Sequence, residues 1–395
     1  MKVAVIHPNI MVAGGAEVTG LMTLEFFQDR GDVVTFITDN AVDFTVLNKK
    51  FSTHISHSEI RVVRPRLCRL IGKLEPRLHL FAKLQLTLFA RYARKHKREY
   101  DLVVSTKQEA DLGRGGRGIQ FLHHPPDGMK TKFYDGPYLW FLRRLGRSDA
   151  HIASNLTISP SYYIKYMFDN TYGLYIKDSQ VLYPAIRECP IPKKPWSERE
   201  NGFIMAGHID ELKKTKEAIE VIDRLRMAGF DLHLHIIGTG EGKYYQDVLE
   251  MAKMRPHIHM EGFVSTQKYF ELLVSHKYGI HMRGNEPSAV TLREFVDCGM
   301  IVFAHNSGGT PEILNKNRDV LFDSLEGTQR YPEESAYSST YNPAARMIEH
   351  VMENEALQKE ILLDLKKVKF NTREDWKKEL EGLIKGMSLT VSKKE

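Results

Sequence analysis

The sequence predicts an α/β protein of two lobes, each a parallel sheet covered by helices, and three observations carry that expectation. Short strand-like runs alternate with helical patterns along most of the chain. The alternation breaks once, at a proline-rich stretch, and then restarts. The last segment has helical periodicity and no strand signal.

In the first half the strand-like runs are residues 3–7, 33–38, 102–105, 119–123 and 153–159. A second set follows at residues 202–206, 232–237, 257–264, 278–282 and 301–304. Between them stand Pro190, Pro192 and Pro195. Proline lacks an amide hydrogen and fixes φ, so neither helix nor central strand runs through this stretch, and the linker belongs there. The expected lobes are residues 1–186 and 187–375. After Thr372, which resembles an N-cap, Trp376, Leu380, Leu383 and Met387 repeat at helical spacing, giving an amphipathic helix that needs a surface to cover.

Composition narrows the class. A chain of 395 residues suffices for two ordinary cores, and 27% charged with 42% hydrophobic residues is the balance of a soluble globular protein. Cys68, Cys189 and Cys298 are far apart and form no CxxC, which argues against a disulfide framework or a structural zinc site and suits a reducing cytosol. The chain enters a strand-like run at once, so no signal peptide is expected. No uncharged run approaches the roughly 20 apolar residues of a spanning helix, so a cytoplasmic location is expected.

Charge is unevenly spread. Residues 61–98 hold twelve basic residues against the single acid Glu75, whereas the whole chain is only +6. Leu67, Leu70, Ile71, Leu74, Leu78, Phe81, Leu84 and Leu88 recur there at steps of three and four, with Pro76 placed to start the longer helix. Two readings stay open: a core-covering helix with a solvated basic face, or an interfacial helix held on anionic lipid by Arg66, Arg69, Lys73 and Arg77. The second would place the protein peripherally on the cytoplasmic face of a membrane. Nucleic acid is not an expected partner, because the charge lacks interleaved aromatics.

Several motifs sit where a strand gives way to a helix. Gly14-Gly15-Ala16-Glu17 follows the first strand and reads as either a tight turn or a phosphate cradle. His123, halted by Pro125, is either a substrate-facing group or a backbone-bonded loop histidine, and neither it nor His124 has a metal-ligand set. Gly207-His208 precedes Lys213 and Lys214, compact cations suited to a diphosphate. Glu286 and Glu294 bracket a strand end, a turn and the first turns of a helix closing at Gly299. Ser307-Gly308-Gly309-Thr310-Pro311-Glu312 reads as a strong helix start, with Thr310 as N-cap.

In this order, Gly14-Gly15-Ala16-Glu17, His123 before Pro125, Val181-Leu182-Tyr183-Pro184, Gly207 with Lys213, Glu286 with Glu294, and Ser307-Gly308-Gly309 with Glu312 resemble the GT-B retaining glycosyltransferases of family 4, the glycosyl transferases group 1. The resemblance spans nearly the whole chain and is strongest from Glu286 to Glu312. It implies two Rossmann-like lobes facing across a cleft, with residues 376–395 crossing back to complete the first lobe. It also implies that the second lobe holds a nucleotide-sugar donor. Glu294 would bond the ribose, Glu286 the donor sugar and Lys213 the diphosphate, while His123 would sit near the sugar and Gly14 and Gly15 near the phosphate. His208, Ser288, Ala289, Val290 and Thr291 belong to the same donor-binding set, and His123 and Glu286 are the implied catalytic residues.

The implied reaction moves a hexose from a UDP- or GDP-sugar to a hydroxyl of a glycan or lipid-linked acceptor, with retention and without metal or other cofactor. Lys213 and the amides near Val290 would stabilise the leaving diphosphate. Two positions depart from the family. His208 stands where arginine is usual, which leaves more charge compensation to Lys213, and Ser288-Ala289 stands where Phe-Gly is common, which bears on the fit around the sugar. A nucleotide-sugar epimerase of the same fold and a non-catalytic nucleotide-sugar binding protein stay open as alternatives. A dehydrogenase is not expected, since no dinucleotide fingerprint follows the first strand.

Overall fold

The computed structural model describes residues 1–11, 14–73, 80–113, 117–129, 135–173, 176, 178–323 and 343–392. The chain divides into two compact units, Met1–Pro184 with Arg373–Glu395, and Ala185–Thr372.

The first unit is a seven-stranded sheet in the order β3-β2-β1-β4-β5-β6-β7, all neighbours parallel. Its strands are β1 Lys2–Ile6, β2 Val33–Ile37, β3 Ile60–Val63, β4 Leu102–Ser105, β5 Gly118–Phe121, β6 Leu156–Ser159 and β7 Asp178–Val181. The second unit is a six-stranded parallel sheet, β10-β9-β8-β11-β12-β13. Its strands are β8 Glu200–Ala206, β9 His233–Ile237, β10 Ile258–Gly262, β11 His276–His281, β12 Ile301–His305 and β13 Leu321–Phe322. Both units are the Rossmann-like α/β lobes that the alternation predicts.

Central strands explain why the pattern was readable. Val3, Ala4, Val5 and Ile6 of β1, and Ile301 to Ala304 of β12, are fully buried because helices cover both faces, so they read as unbroken apolar runs. The sequence reading missed β3, β7 and β13, and all three are edge strands. An edge strand has one hydrogen-bonded neighbour and a partly solvated flank, so it carries charged or polar residues, as in the Asp178-Ser179-Gln180 of β7. β13 has only two residues, too few for any period. The run expected at 153–159 begins instead with a short helix, Asp149–Ala153, capped by Ser148 Oγ, and only Leu156–Ser159 is strand.

The basic segment is a correction to the expected stripe. It contains β3, the helix Arg66–Gly72 and the helix Leu80–Lys95, while Leu74, Pro76, Arg77 and Leu78 lie outside the described residues. The longer helix buries Leu86, Phe89, Ala90 and Ala93 against Ala4, Ile6, Ile37 and Val103. Leu84 and Leu88 sit only at the margin of that face. The sheet, not lipid, covers its apolar side. The shorter helix buries Cys68 but leaves Leu67 and Leu70 more than half exposed beside exposed Arg66, Arg69 and Lys73. Among the described residues no helix is long and apolar enough to cross a membrane.

The terminal helix Arg373–Ser392 belongs to the first unit. Trp376, Leu380 and Ile384 form its buried face, and the Trp376 ring stacks on Phe121 at 5.9 Å. Lys377 fixes it further, with Nζ 3.1 Å from Glu25 Oε2 and 2.9 Å from Asp29 Oδ2.

Candidate functional site

In the second unit, candidate residues gather at the carboxyl ends of β8, β11 and β12, where parallel α/β sheets form ligand crevices. After β8 the chain turns at Gly207, whose φ of +142° excludes most side chains. Gly238 closes on it so tightly that a Cβ there would stand 1.9 Å from the Gly207 carbonyl. Asp210 accepts the Lys213 amide through Oδ1 at 2.9 Å, and Lys214 in the left-handed region starts the helix Thr215–Met227. This turn aims Lys213 back across the sheet end, where Nζ donates to Glu286 Oε2 at 2.9 Å. His208 is exposed on the same turn.

Glu286 is 7% exposed and surrounded by positive or donor groups. His281 Nε2 lies 3.3 Å and Arg283 Nε 3.4 Å from the oxygen that accepts from Lys213. Burial alone would raise the Glu286 carboxyl; the His281 imidazole and the Lys213 and Arg283 charges outweigh it and hold the group well below the usual carboxylate range. It is a fixed anion at neutral pH, and its ion partners leave an excess of positive charge.

Two neighbouring features position it. Asn285, at φ +52°, donates its amide to Ser307 Oγ at 2.7 Å, and the Gly309 amide donates to the Glu286 carbonyl at 2.8 Å. Between these contacts Gly308, at φ +68°, lies so close to the Asn285-Glu286 backbone that a Cβ would come within 2.6 Å of the Glu286 carbonyl oxygen. The glycines after β12 thus act by letting two loops touch. Thr310 is the first residue of the short helix Thr310–Ile313 rather than its N-cap, which is Gly309.

The helix Val290–Asp297 begins at Ala289 with no side-chain cap, so its first amides are open to an anion. Ser288 Oγ, Thr215 Oγ1 and Thr310 Oγ1 are buried without a hydrogen-bond partner among the described residues. Three orphan hydroxyls at the starts of three helices are costly unless something supplies partners. Thr291 is partly buried on the first turn.

Glu294 lies deeper, 1% exposed, and both its oxygens are engaged. Arg187 forms a two-pronged pair, Nε to Oε1 at 2.8 Å and Nη2 to Oε2 at 3.0 Å, and the Tyr269 hydroxyl donates to Oε2 at 2.7 Å. The Arg187 guanidinium also lies over the Tyr269 ring at 4.6 Å. Glu286 and Glu294, seven positions apart in sequence, therefore sit in two separate polar clusters. The sequence reading missed His281, Arg283, Arg187 and Tyr269; only His281, ending a strand, offered a signal.

In the first unit the residues after β1 are self-contained. The Gly14 amide already donates to Glu17 Oε2 at 2.9 Å, and Lys107 Nζ donates to Oε1 at 2.6 Å. Burial would raise the Glu17 carboxyl, but His7 and Lys107 hold it down at about 2. Gly15 is exposed, with open space where a Cβ would go. His123 is partly buried, its amide donating to Gln108 Oε1 at 3.1 Å, and its Nε2 lies 3.0 Å from the Thr106 carbonyl. A carbonyl only accepts, so Nε2 carries the proton and Nδ1 the lone pair. Burial pushes the ring down to about 3, so it is neutral at physiological pH.

Residues 188–325 match the family model described as glycosyl transferases group 1. Solved structures match over nearly all of the chain. The fold is GT-B. The Anabaena protein HepE in complex with UDP and glucose is 14% identical with a TM-score of 0.65, over 98% of this chain and 99% of that one. The lipopolysaccharide outer core galactosyltransferase WaaB is 14% identical with a TM-score of 0.61, over 98% and 99%. Sucrose-phosphate synthase from Thermosynechococcus elongatus is 13% identical with a TM-score of 0.63, over 99% and 100%. At these identities the likeness speaks for the fold alone. Nothing among curated proteins matches the sequence.

Proposed function

We propose that this chain is a retaining, metal-independent glycosyltransferase of family 4 that moves a hexose from a UDP- or GDP-sugar to a hydroxyl of a glycan or lipid-linked acceptor. The observation that carries the proposal is the carboxyl end of the second sheet, where Lys213, Arg283 and an uncapped helix start surround the buried anion Glu286. A nucleoside diphosphate supplies the negative charge such a place favours, and the sugar hydroxyls can bond to the carboxylate. The family match over residues 188–325 falls on this same region. UDP in the HepE structure makes uridine the first nucleoside to test.

In this reading Lys213 turns from Glu286 to the diphosphate as the donor enters. The open amides at Val290 and Thr291, with Ser288 and Ala289 before them, take the remaining phosphate charge. Glu286, held ionised, orients the sugar and steadies the oxocarbenium-like state. Such a stabilised carboxylate is a weak base, so the donor's own phosphate oxygen takes the acceptor's proton. Glu294 meets the ribose once Arg187, whose side chain is 46% exposed, swings away. His123 serves the sugar as a neutral group, and His208, Gly14 and Gly15 remain minor donor contacts. The exposed Leu67 and Leu70 among Arg66, Arg69 and Lys73 support a peripheral hold on anionic lipid, with Arg77 as a further basic group of that segment. Liposome flotation that is equal, and absent, with and without anionic lipid would end that part.

Thermal melting against UDP-, GDP- and ADP-sugars tests the donor. A donor at a hundred times its Kd adds about 2.7 kcal/mol of stability, an easily read shift. Mass-spectrometric transfer assays with the stabilising donor then test the reaction. Failure of every nucleotide sugar to raise the melting temperature would refute the reading, and formation of an epimer without acceptor would replace it.

A further inference from the structure

At the opposite, amino end of the second sheet lies a group of imidazoles unrelated to the donor residues. His233 and His235 project from the same face of β9, two residues apart, and His276 opens β11. One ring nitrogen from each lies within 4.8 Å of the other two. We propose that this end of the sheet binds a divalent transition metal, zinc foremost, through His233, His235 and His276, with Glu200 as fourth ligand.

The backbone explains how these rings meet. β9 and β11 are not neighbours; β8 lies between them, so their backbones stand roughly 9–10 Å apart. The residue of β8 opposite His233 is Gly202, and a Cβ there would come within 2.2 Å of His233 Nε2. The missing side chain is what lets His233 lie across β8, where its Nε2 comes 2.9 Å from His276 Nε2. Glu200 Oε2 completes the group, 3.5 Å from His233 Nε2 and 3.9 Å from His276 Nε2.

Outer contacts already orient two of the three rings as metal ligands need. His276 Nδ1 faces the Leu272 carbonyl at 2.8 Å, so the proton sits on Nδ1 and Nε2 presents its lone pair. His235 Nδ1 lies 2.6 Å from Glu261 Oε1, which leaves Nε2 as its ligand atom. A carbonyl or carboxylate behind each imidazole is the usual second layer of a zinc site. His233 must present Nε2 unprotonated, which it does by moving its proton to Nδ1, with no change of charge. Tetrahedral zinc with Zn–N near 2.0–2.1 Å needs nitrogens about 3.3 Å apart, so the rings must shift by an ångström or so. A pocket of about 390 Å³ lined by Glu200, His233, His235 and His259 gives the ion a way in. Four protein ligands would leave no open position, so the metal is structural and ties β8, β9 and β11 together.

The test uses the full chain with no histidine tag, stripped with EDTA and titrated with zinc by calorimetry and thermal melting. One zinc per chain is expected, with a raised melting temperature and no such response to magnesium. Cobalt should give the intense visible absorption of tetrahedral coordination. His235→Asn should weaken zinc binding at least a hundredfold, and Glu261→Gln by about 10–100-fold. Gly202→Ala keeps every ligand but displaces His233, and Glu200→Gln alters only an exposed side chain; both should weaken binding, so the test does not depend on one buried variant folding. Only weak multi-site binding by the wild-type chain, or wild-type affinity in both Gly202→Ala and Glu200→Gln, would overturn the site.

Discussion

The two units solve one arrangement differently. In each, a buried histidine lies at the end of a strand, a buried glutamate follows in the next loop or helix start, and a lysine reaches over from beyond the neighbouring strand. In the first unit these are His7, Glu17 and Lys107; in the second, His281, Glu286 and Lys213. Glu17 spends its second oxygen on the Gly14 amide and its charges balance, although that helix start too lacks a side-chain cap. Glu286 faces an additional cation, Arg283, and the helix after it starts uncapped. The same parts yield a charge-balanced cluster in one unit and one with surplus positive charge in the other.

Removing the lysine should separate the two most strongly. Lys213→Ala is expected to lower kcat/KM by about 10²–10³, the usual loss for one donor to developing charge. Lys107→Ala should leave donor affinity within a few fold while lowering the melting temperature. Calorimetry and steady-state kinetics on both variants check the contrast, and equal kinetic losses would break it.

Glycine substitutions give the next effect. Gly308→Ala forces a side chain into the left-handed region and against the Glu286 backbone, and should cost about 1–3 kcal/mol of stability along with donor binding. Gly15→Ala meets open space and should change stability by less than about 0.5 kcal/mol, read by chemical denaturation.

Arg187→Ala sharpens the picture within the second unit. If the ribose must displace Arg187 from Glu294, the variant should bind donor up to about tenfold more tightly while melting lower without ligand, because it leaves a buried carboxylate with fewer partners. Weaker binding would mean that Arg187 itself holds the donor.

Acid should show the smallest difference. Glu17 titrates at about 2 when folded and near 4.5 unfolded, so its stabilisation is complete above about 4.5 and lost as pH falls towards 2. Glu17→Gln should flatten the melting curve in that window. His123, down at about 3 from 6.5, adds a loss of stability as pH falls below 6.5, which His123→Gln should remove.

Much of this was legible in the residues. Strands buried on both faces announced themselves because burial demands unbroken apolar runs. The order of short motifs named the fold class before any coordinate. Three of the four edge strands, β3, β7 and β13, stayed hidden because a solvated flank or a two-residue length removes the pattern, while β10 was still read at 257–264. The basic segment misled because apolar spacing cannot say which face a helix buries; its sheet chose Leu86, Phe89 and Ala90.

Residue types and their spacing thus determined the two α/β lobes and the stretch from Glu286 to Glu312 as the region to inspect. Tertiary structure alone decided the partners: Lys213 and Arg283 on Glu286, Arg187 and Tyr269 on Glu294, and three histidines from two strands meeting over Gly202. Sequence spacing fixes the face on which a side chain lies, whereas charge pairing depends on which strands the sheet sets side by side, and that order is settled only when the whole core packs.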